Sequence, residues 1–152
     1  MRILVLGAGG TGGYFGGRLA QSGADVTFLV RLARTAQLSE HGLQIRSPLG
    51  DADVRVAHVV AEELATLAQE KSFDLVLLSC KAYDLEDAIA AIRPAVDART
   101  AILPVLNGLS HIDRLAAAFG AERVLGGLAK IQATLAADGT VRQLNDWRWI
   151  TF

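Results

Sequence analysis

Arg2-Ile3-Leu4-Val5-Leu6-Gly7-Ala8-Gly9-Gly10-Thr11-Gly12-Gly13-Tyr14-Phe15-Gly16 begins as an apolar run, breaks into glycines and continues in a helical pattern. Residues 3–6 have no polar alternation, which predicts a strand buried on both faces. Residues 11–21 read as a helix, with Phe15 and Leu19 four apart and Gly23 placed to end it. Between them, Gly7-Ala8-Gly9-Gly10-Thr11-Gly12 matches G-x-G-x-x-G. Alone this pattern describes any glycine-rich turn; following a buried strand and opening a helix, it describes a dinucleotide-binding loop. Each glycine meets a separate physical need. Gly7 serves the tight turn, Gly9 the close approach of backbone to a pyrophosphate, and Gly12 close helix–strand packing. Gly16 extends that packing face by one turn. The free N–H groups and positive dipole end of the helix, reached through Ala8, Gly10 and Thr11, are suited to phosphate.

The rest of the chain repeats the strand–helix alternation. Residues 26–30, 73–80 and 101–106 read as buried strands. Residues 33–40, ended by Gly42, residues 62–70 and 85–92, and a segment following Ser110, read as helices. Asp84 and Ser110 stand where helix N-caps belong, and Leu85, Ala88, Ile89 and Ile92 mark an inner face. Residues 43–46 and 54–60 predict an antiparallel insertion around Ser47-Pro48-Leu49-Gly50-Asp51. Residues 124–135 and 141–144 predict strands joined at Asp138-Gly139, with a last strand over 147–152. The pattern gives an α/β fold: a Rossmann-like, doubly wound, mostly parallel sheet with helices on both faces and an antiparallel C-terminal portion. A strand running to the last residue suggests a chain cut where another domain would begin.

Composition narrows the function. The 152 residues carry 15 basic and 16 acidic side chains, a net charge of -1, which argues against nucleic acid as a partner. One cysteine, Cys80, excludes an internal disulfide. No apolar run approaches the roughly 18 residues of a membrane span, so the expectation is a soluble, cytoplasmic domain. His41, His58 and His111 lack metal-ligand spacing, so no metal site is expected. At 51% hydrophobic residues, the chain either covers its sheet on both faces or leaves surface for a second domain or a second copy, so a homodimer is compatible with it.

Ligands bind open α/β sheets at the carboxyl ends of the strands. An NAD-type site places a carboxylate at the tip of the second strand, about 20 residues past the glycines. This chain has Val30-Arg31 there, with Arg34 nearby. A guanidinium at that tip fits the 2′-phosphate of NADPH, the alternative being a solvated surface arginine. Lys81 and Asn107 follow the next two strands and could hydrogen-bond a carbonyl substrate or the cofactor ribose. They could equally be an exposed loop lysine and an Asn-Gly turn residue. Cys80 reads as core rather than nucleophile, and Trp147 and Trp149 as packing residues.

Arg2–Gly16, Leu29-Val30-Arg31, Cys80-Lys81-Ala82-Tyr83-Asp84, Leu106-Asn107-Gly108 and Val124-Leu125-Gly126-Gly127, in that order, resemble the N-terminal half of ketopantoate reductases (2-dehydropantoate 2-reductases). The resemblance spans essentially the whole chain. It implies hydride transfer from NADPH to ketopantoate, or to a similar 2-oxo acid, on the route to pantothenate and coenzyme A. Gly7 to Gly12 and Arg31 would hold the pyrophosphate and the 2′-phosphate. Lys81 and Asn107 would line the nicotinamide and substrate side. The family's general acid lies in a helical C-terminal domain with no match here, so no catalytic residue is assigned and the 152 residues alone are expected to be inactive or very weak. Two alternatives stay open: a dinucleotide-sensing module without redox chemistry, and a dehydrogenase of another 2-oxo or hydroxy acid.

Overall fold

Side chains alternate across a strand, and in the first strand both directions are apolar. In the computed structural model, which describes residues 1–152, β1 (Arg2–Leu6) directs Ile3 and Val5 into one hydrophobic core and Leu4 into a second. Burial on both faces is what parallel pairing within a layered fold requires. β1 lies at the centre of a five-stranded, all-parallel sheet of order β5-β2-β1-β6-β7. It pairs directly with β2 (Asp25–Leu29) and β6 (Leu75–Leu78), and these pair outward with β5 (Ala57–Val59) and β7 (Ala101–Pro104).

Helices cover both faces. α3 (Ala61–Glu70), α4 (Leu85–Ile92) and α5 (Ser110–Phe119) bring Leu64, Ile89, Ile92 and Leu115 onto the face that carries Leu4, Leu29, Val76 and Ile102. α1 (Gly10–Gln21) and α2 (Leu32–His41) bring Tyr14 and Leu38 to the other face, against Val5, Phe28 and Leu77. The Rossmann-like α/β reading is therefore observed, including the helices on both sides. Gly23 and Gly42, at φ +90° and +72°, end α1 and α2 as the sequence indicates.

A second sheet lies beyond α1. It has the order β4-β3-β10-β9 and is built from β3 (Leu43–Arg46), β4 (Ala52–Val54), β9 (Ala133–Leu135) and β10 (Val141–Gln143). Leu43, Ile45 and Val141 from this sheet enter the same core as Val5 and Phe28, so α1 is enclosed between two sheets. A stripe without side chains makes that possible. A Cβ on Gly16 would lie 2.7 Å from the Phe28 ring and 3.0 Å from Val5, and one on Gly13 2.8 Å from Val141. Gly17 comes as close to Ile45 and Leu43, at 2.7 Å.

Three expectations need correction. Residues 54–60 are not one strand: Val54 pairs with Leu43 in the second sheet, while Ala57 pairs with Thr27 in the first. Alternation continues through both pieces and cannot reveal the change of partner. Residues 124–135 likewise divide. Val124 makes a single bridge to Ile102, β8 (Leu128–Lys130) pairs only with β11 (Trp149–Thr151), and β9 pairs with β10. The helix caps also differ. Ser110 is already inside α5, whose N-cap is Leu109, and Asp84 occupies the N-cap of α4 without bonding its amides.

Because Phe28 is fully buried and cannot withdraw, Gly16→Ala is expected to lower unfolding free energy by about 1–3 kcal/mol in urea titrations. Alanine's helix preference offsets less than about 1 kcal/mol of that. A second prediction concerns His111 on α5, which is 4% exposed. Burial disfavours its imidazolium and lowers its pKa from the ordinary 6.5. As pH falls below 6.5 the unfolded chain therefore takes up the proton first. This contribution to stability is complete above 6.5 and is lost as pH falls through the lower, folded value. Urea midpoints followed downward from pH 7.5 should fall over that window, and His111→Leu should flatten this part of the profile.

Candidate functional site

Parallel pairing in register brings the strand tips to one edge. Val59, Leu29, Leu6, Leu78 and Pro104 form a single row across the sheet. One residue past that row, Gly7 N–H donates to the Leu29 carbonyl at 2.9 Å, and Val105 N–H to that of Leu78 at 2.9 Å. Arg31 stands two residues beyond the row; Lys81 and Asn107 each stand three beyond. The fold thus collects the glycine loop, Arg31, Lys81 and Asn107 on the same edge, with all three polar side chains exposed.

The loop geometry follows from its glycines. Gly7 has φ +89°, a conformation that L side chains rarely adopt. A Cβ on Gly12 would overlap Ser79 Oγ and come within 2.5 Å of the Gly7 carbonyl oxygen. A Cβ on Gly9 would meet nothing within 4 Å, whereas one on Gly10 would lie 2.5 Å from the Ala133 carbonyl oxygen, so the start of α1 is open on the Gly9 side and packed on the other. Gly9 is the N-cap of α1, and no side chain caps this end. The first-turn amides of Gly10, Thr11 and Gly12 have no partner within the helix. The loop, with Ala8 buried beneath it, meets the spatial requirements of an anion held on backbone N–H groups.

Ser79 and Arg34 hold this loop. Ser79 Oγ donates to the Leu6 carbonyl at 2.9 Å, bracing the strand end below Gly7. Arg34 Nη2 donates to the carbonyl oxygens of Ala8 at 3.2 Å and Gly139 at 2.8 Å, and Nη1 donates to Gln37. Arg34 therefore ties the loop to the turn before β10 and is not free as a second phosphate ligand. Arg31 is different. Its side chain is 82% exposed and meets one carboxylate, Asp84 Oδ1, at 3.3 Å from Nη2. Sequence reasoning assigned Asp84 to a helix cap; the structure turns it toward Arg31 instead.

Other candidates fall away from this edge. Cys80 is half-buried, and burial pushes its thiol pKa up, away from thiolate chemistry. Lys130 lies over Trp147 and Trp149, at 5.3 and 4.9 Å from the ring centres, in the β8–β11 ribbon. A cavity of about 230 Å³, lined by Ala82, Tyr83, Leu85, Glu86, Ser110 and Arg114, opens beside the Lys81 loop. It falls short of the roughly 300–1,000 Å³ typical of ligand pockets, so a dinucleotide would lie along the open edge rather than inside it. Leu32, Tyr83 and Leu109, at 76%, 80% and 81% exposure, give that edge an apolar rim.

Fold and loop together define a Rossmann-like domain whose ligand face is the carboxyl edge of its parallel sheet. Residues 3–152 match the ketopantoate reductase PanE/ApbA family, and the chain belongs to that family. It is 43% identical over 141 residues to the uncharacterized oxidoreductase YkpB of Bacillus subtilis, covering 93% of this chain and 45% of that protein. The crystal structure of 2-dehydropantoate 2-reductase from Geobacter metallireducens superposes with a TM-score of 0.84 at 35% identity, covering 96% of this chain and 47% of that one. D-mandelate dehydrogenase, in its ternary structure with NADH and anilino(oxo)acetate, gives 0.84 at 29% identity, covering 95% and 46%. The chain spans a little under half the length of these relatives.

Replacing Arg34 with Met, which keeps an unbranched apolar stem but no donors, should loosen the loop and lower stability by about 1–3 kcal/mol in urea titrations. Faster amide exchange at Ala8–Gly10 and Gly139 would locate the loss at the two tied segments.

Proposed function

We propose that this chain holds the cofactor of an NADPH-dependent, cytoplasmic reductase of 2-oxo acids, with ketopantoate as substrate. The observation that carries the reading is the pairing of an open, uncapped α1 N-terminus at Gly9 with a guanidinium, not a carboxylate, at the tip of β2. NADPH, when bound, supplies a hydride to the substrate carbonyl carbon. The amides of Gly10, Thr11 and Gly12 hold the pyrophosphate in the space left by Gly9. Arg31 holds the 2′-phosphate by charge-assisted hydrogen bonds.

Lys81 and Asn107 stand at equal depth on adjacent strand tips, on the side of the loop away from Arg31. There Asn107 orients the carbonyl or the nicotinamide ribose, and the Lys81 ammonium favours negative charge developing on the carbonyl oxygen. The apolar rim of Leu32, Tyr83 and Leu109 offers flat surface for base and nicotinamide while excluding water at its edge. Delivery of the proton falls to a group outside these 152 residues. A second reading, reduction of another 2-oxo acid, is favoured by the equal TM-scores to D-mandelate dehydrogenase and to 2-dehydropantoate 2-reductase.

Titration of the purified chain with NADPH and NADH, followed by nicotinamide fluorescence, tests the cofactor assignment. NADPH should bind more tightly. Arg31→Ala should cost NADPH about 1.5–3 kcal/mol, towards the lower end for so exposed a side chain, while leaving NADH unchanged. Equal weakening of both nucleotides, or binding of neither, overturns it.

A further inference from the structure

We propose that Asp84 is a specificity-determining residue that holds down the preference for NADPH over NADH by competing with the 2′-phosphate for Arg31; this rests on the assignment of Arg31 above. The geometry is asymmetric. Arg31 is 82% exposed and its one anionic partner is Asp84, at 3.3 Å; Asp84 is only 30% exposed. The carboxylate is the more enclosed member of the pair and the guanidinium the more exposed one. Asp84 sits at the junction of the 3-10 turn Ala82–Asp84 with α4, in the N-cap position, yet makes no hydrogen bond to the α4 amides. Local helix physics would turn a capping carboxylate inward. This one is turned across the sheet edge, from the tip of β6 to the tip of β2, a sequence separation of 53 residues.

A carboxylate in this place has two effects on a 2′-phosphate, and both are unfavourable. Guanidinium donors committed to Asp84 must be released or shared before they reach phosphate oxygens. The phosphate, carrying close to two negative charges at neutral pH, then lies near a like charge that does not leave. NADH, with a hydroxyl in place of that phosphate, meets neither obstacle. Lys81, three residues before Asp84, is the cation of the loop that follows β6, and Glu86 and Asp87 in the first turn of α4 add negative charge nearby. Asp84 therefore acts on the adenosine end through Arg31, the cation that it contacts.

The test compares Asp84→Asn with the unmodified chain for four probes: NADPH, NADH, 2′,5′-ADP and 5′-AMP. Asparagine keeps the shape and one acceptor while removing the charge. NADPH and 2′,5′-ADP should bind about three- to tenfold more tightly, with NADH and 5′-AMP unchanged within about twofold. If Asp84 instead only positions Arg31, the variant will lose affinity for the two phosphorylated probes or keep it unaltered, and the proposal is wrong. Arg31→Ala, and Arg31→Ala combined with Asp84→Asn, separate this result from the parent assignment. If Arg31→Ala abolishes the phosphate preference but Asp84→Asn does not raise it, only the role of Asp84 fails. If Arg31→Ala leaves the preference in place, both fail. If the double variant binds 2′,5′-ADP no better than Arg31→Ala does, competition for the guanidinium is the dominant effect.

Discussion

The arrangement depends on one steric condition: a helix that must be touched from several sides has no side chain where it is touched. Gly12 meets Ser79 and the Gly7 carbonyl, Gly13 meets Val141, Gly16 meets Phe28 and Val5, and Gly17 meets Ile45 and Leu43. Four glycines in the interior of α1 cost helix stability, roughly 0.5–1 kcal/mol each relative to alanine. Complete burial of Phe28, Leu43, Ile45 and Val141 offsets that cost. Close packing of α1 also sets the height of its N-terminus above the strand tips. The space over Gly9 is thus a consequence of how tightly the helix body sits between two sheets.

From that placement follows the common edge. Parallel register puts the ends of five strands in one row, so residues far apart in sequence, such as Arg31, Lys81 and Asn107, emerge together. The second sheet is coupled to this edge by Arg34, whose guanidinium bonds the loop at Ala8 and the turn at Gly139. Burial lowers the Arg34 pKa from its ordinary value, as expected of a cation drawn from solvent towards carbonyl oxygens, yet an arginine stays charged. A residue that the sequence places near Arg31 is a brace beneath the glycine loop.

Family membership and fold agree: residues 3–152 match the ketopantoate reductase PanE/ApbA family and superpose on a 2-dehydropantoate 2-reductase. The glycine loop, Arg31, Lys81 and Asn107 lie along one edge of that fold. The exposed apolar rim of Leu32, Tyr83 and Leu109 borders the same edge. A 2-dehydropantoate 2-reductase and D-mandelate dehydrogenase superpose on the chain as a whole with the same TM-score, 0.84, so the fold is shared by proteins named for different acids.

Local order was legible wherever short-range physics decided it. The apolar run of β1, the glycine loop, the helical spacing of α4, and the stops at Gly23 and Gly42 were read from neighbours within a few residues, and the structure has each of them. The α/β alternation carried the sheet class for the same reason. What the tertiary structure alone decided is partnership. Residues 54–60 alternate without a break yet serve two sheets, and residues 124–135 divide among three pairings. Asp84 has the sequence position of a helix cap and the spatial position of an arginine's counter-ion. Periodicity records which side of a strand is apolar, and capping patterns record which residue could bond the next turn. Neither records what lies across the gap, because that neighbour arrives from tens of residues away and only the closed fold brings it there.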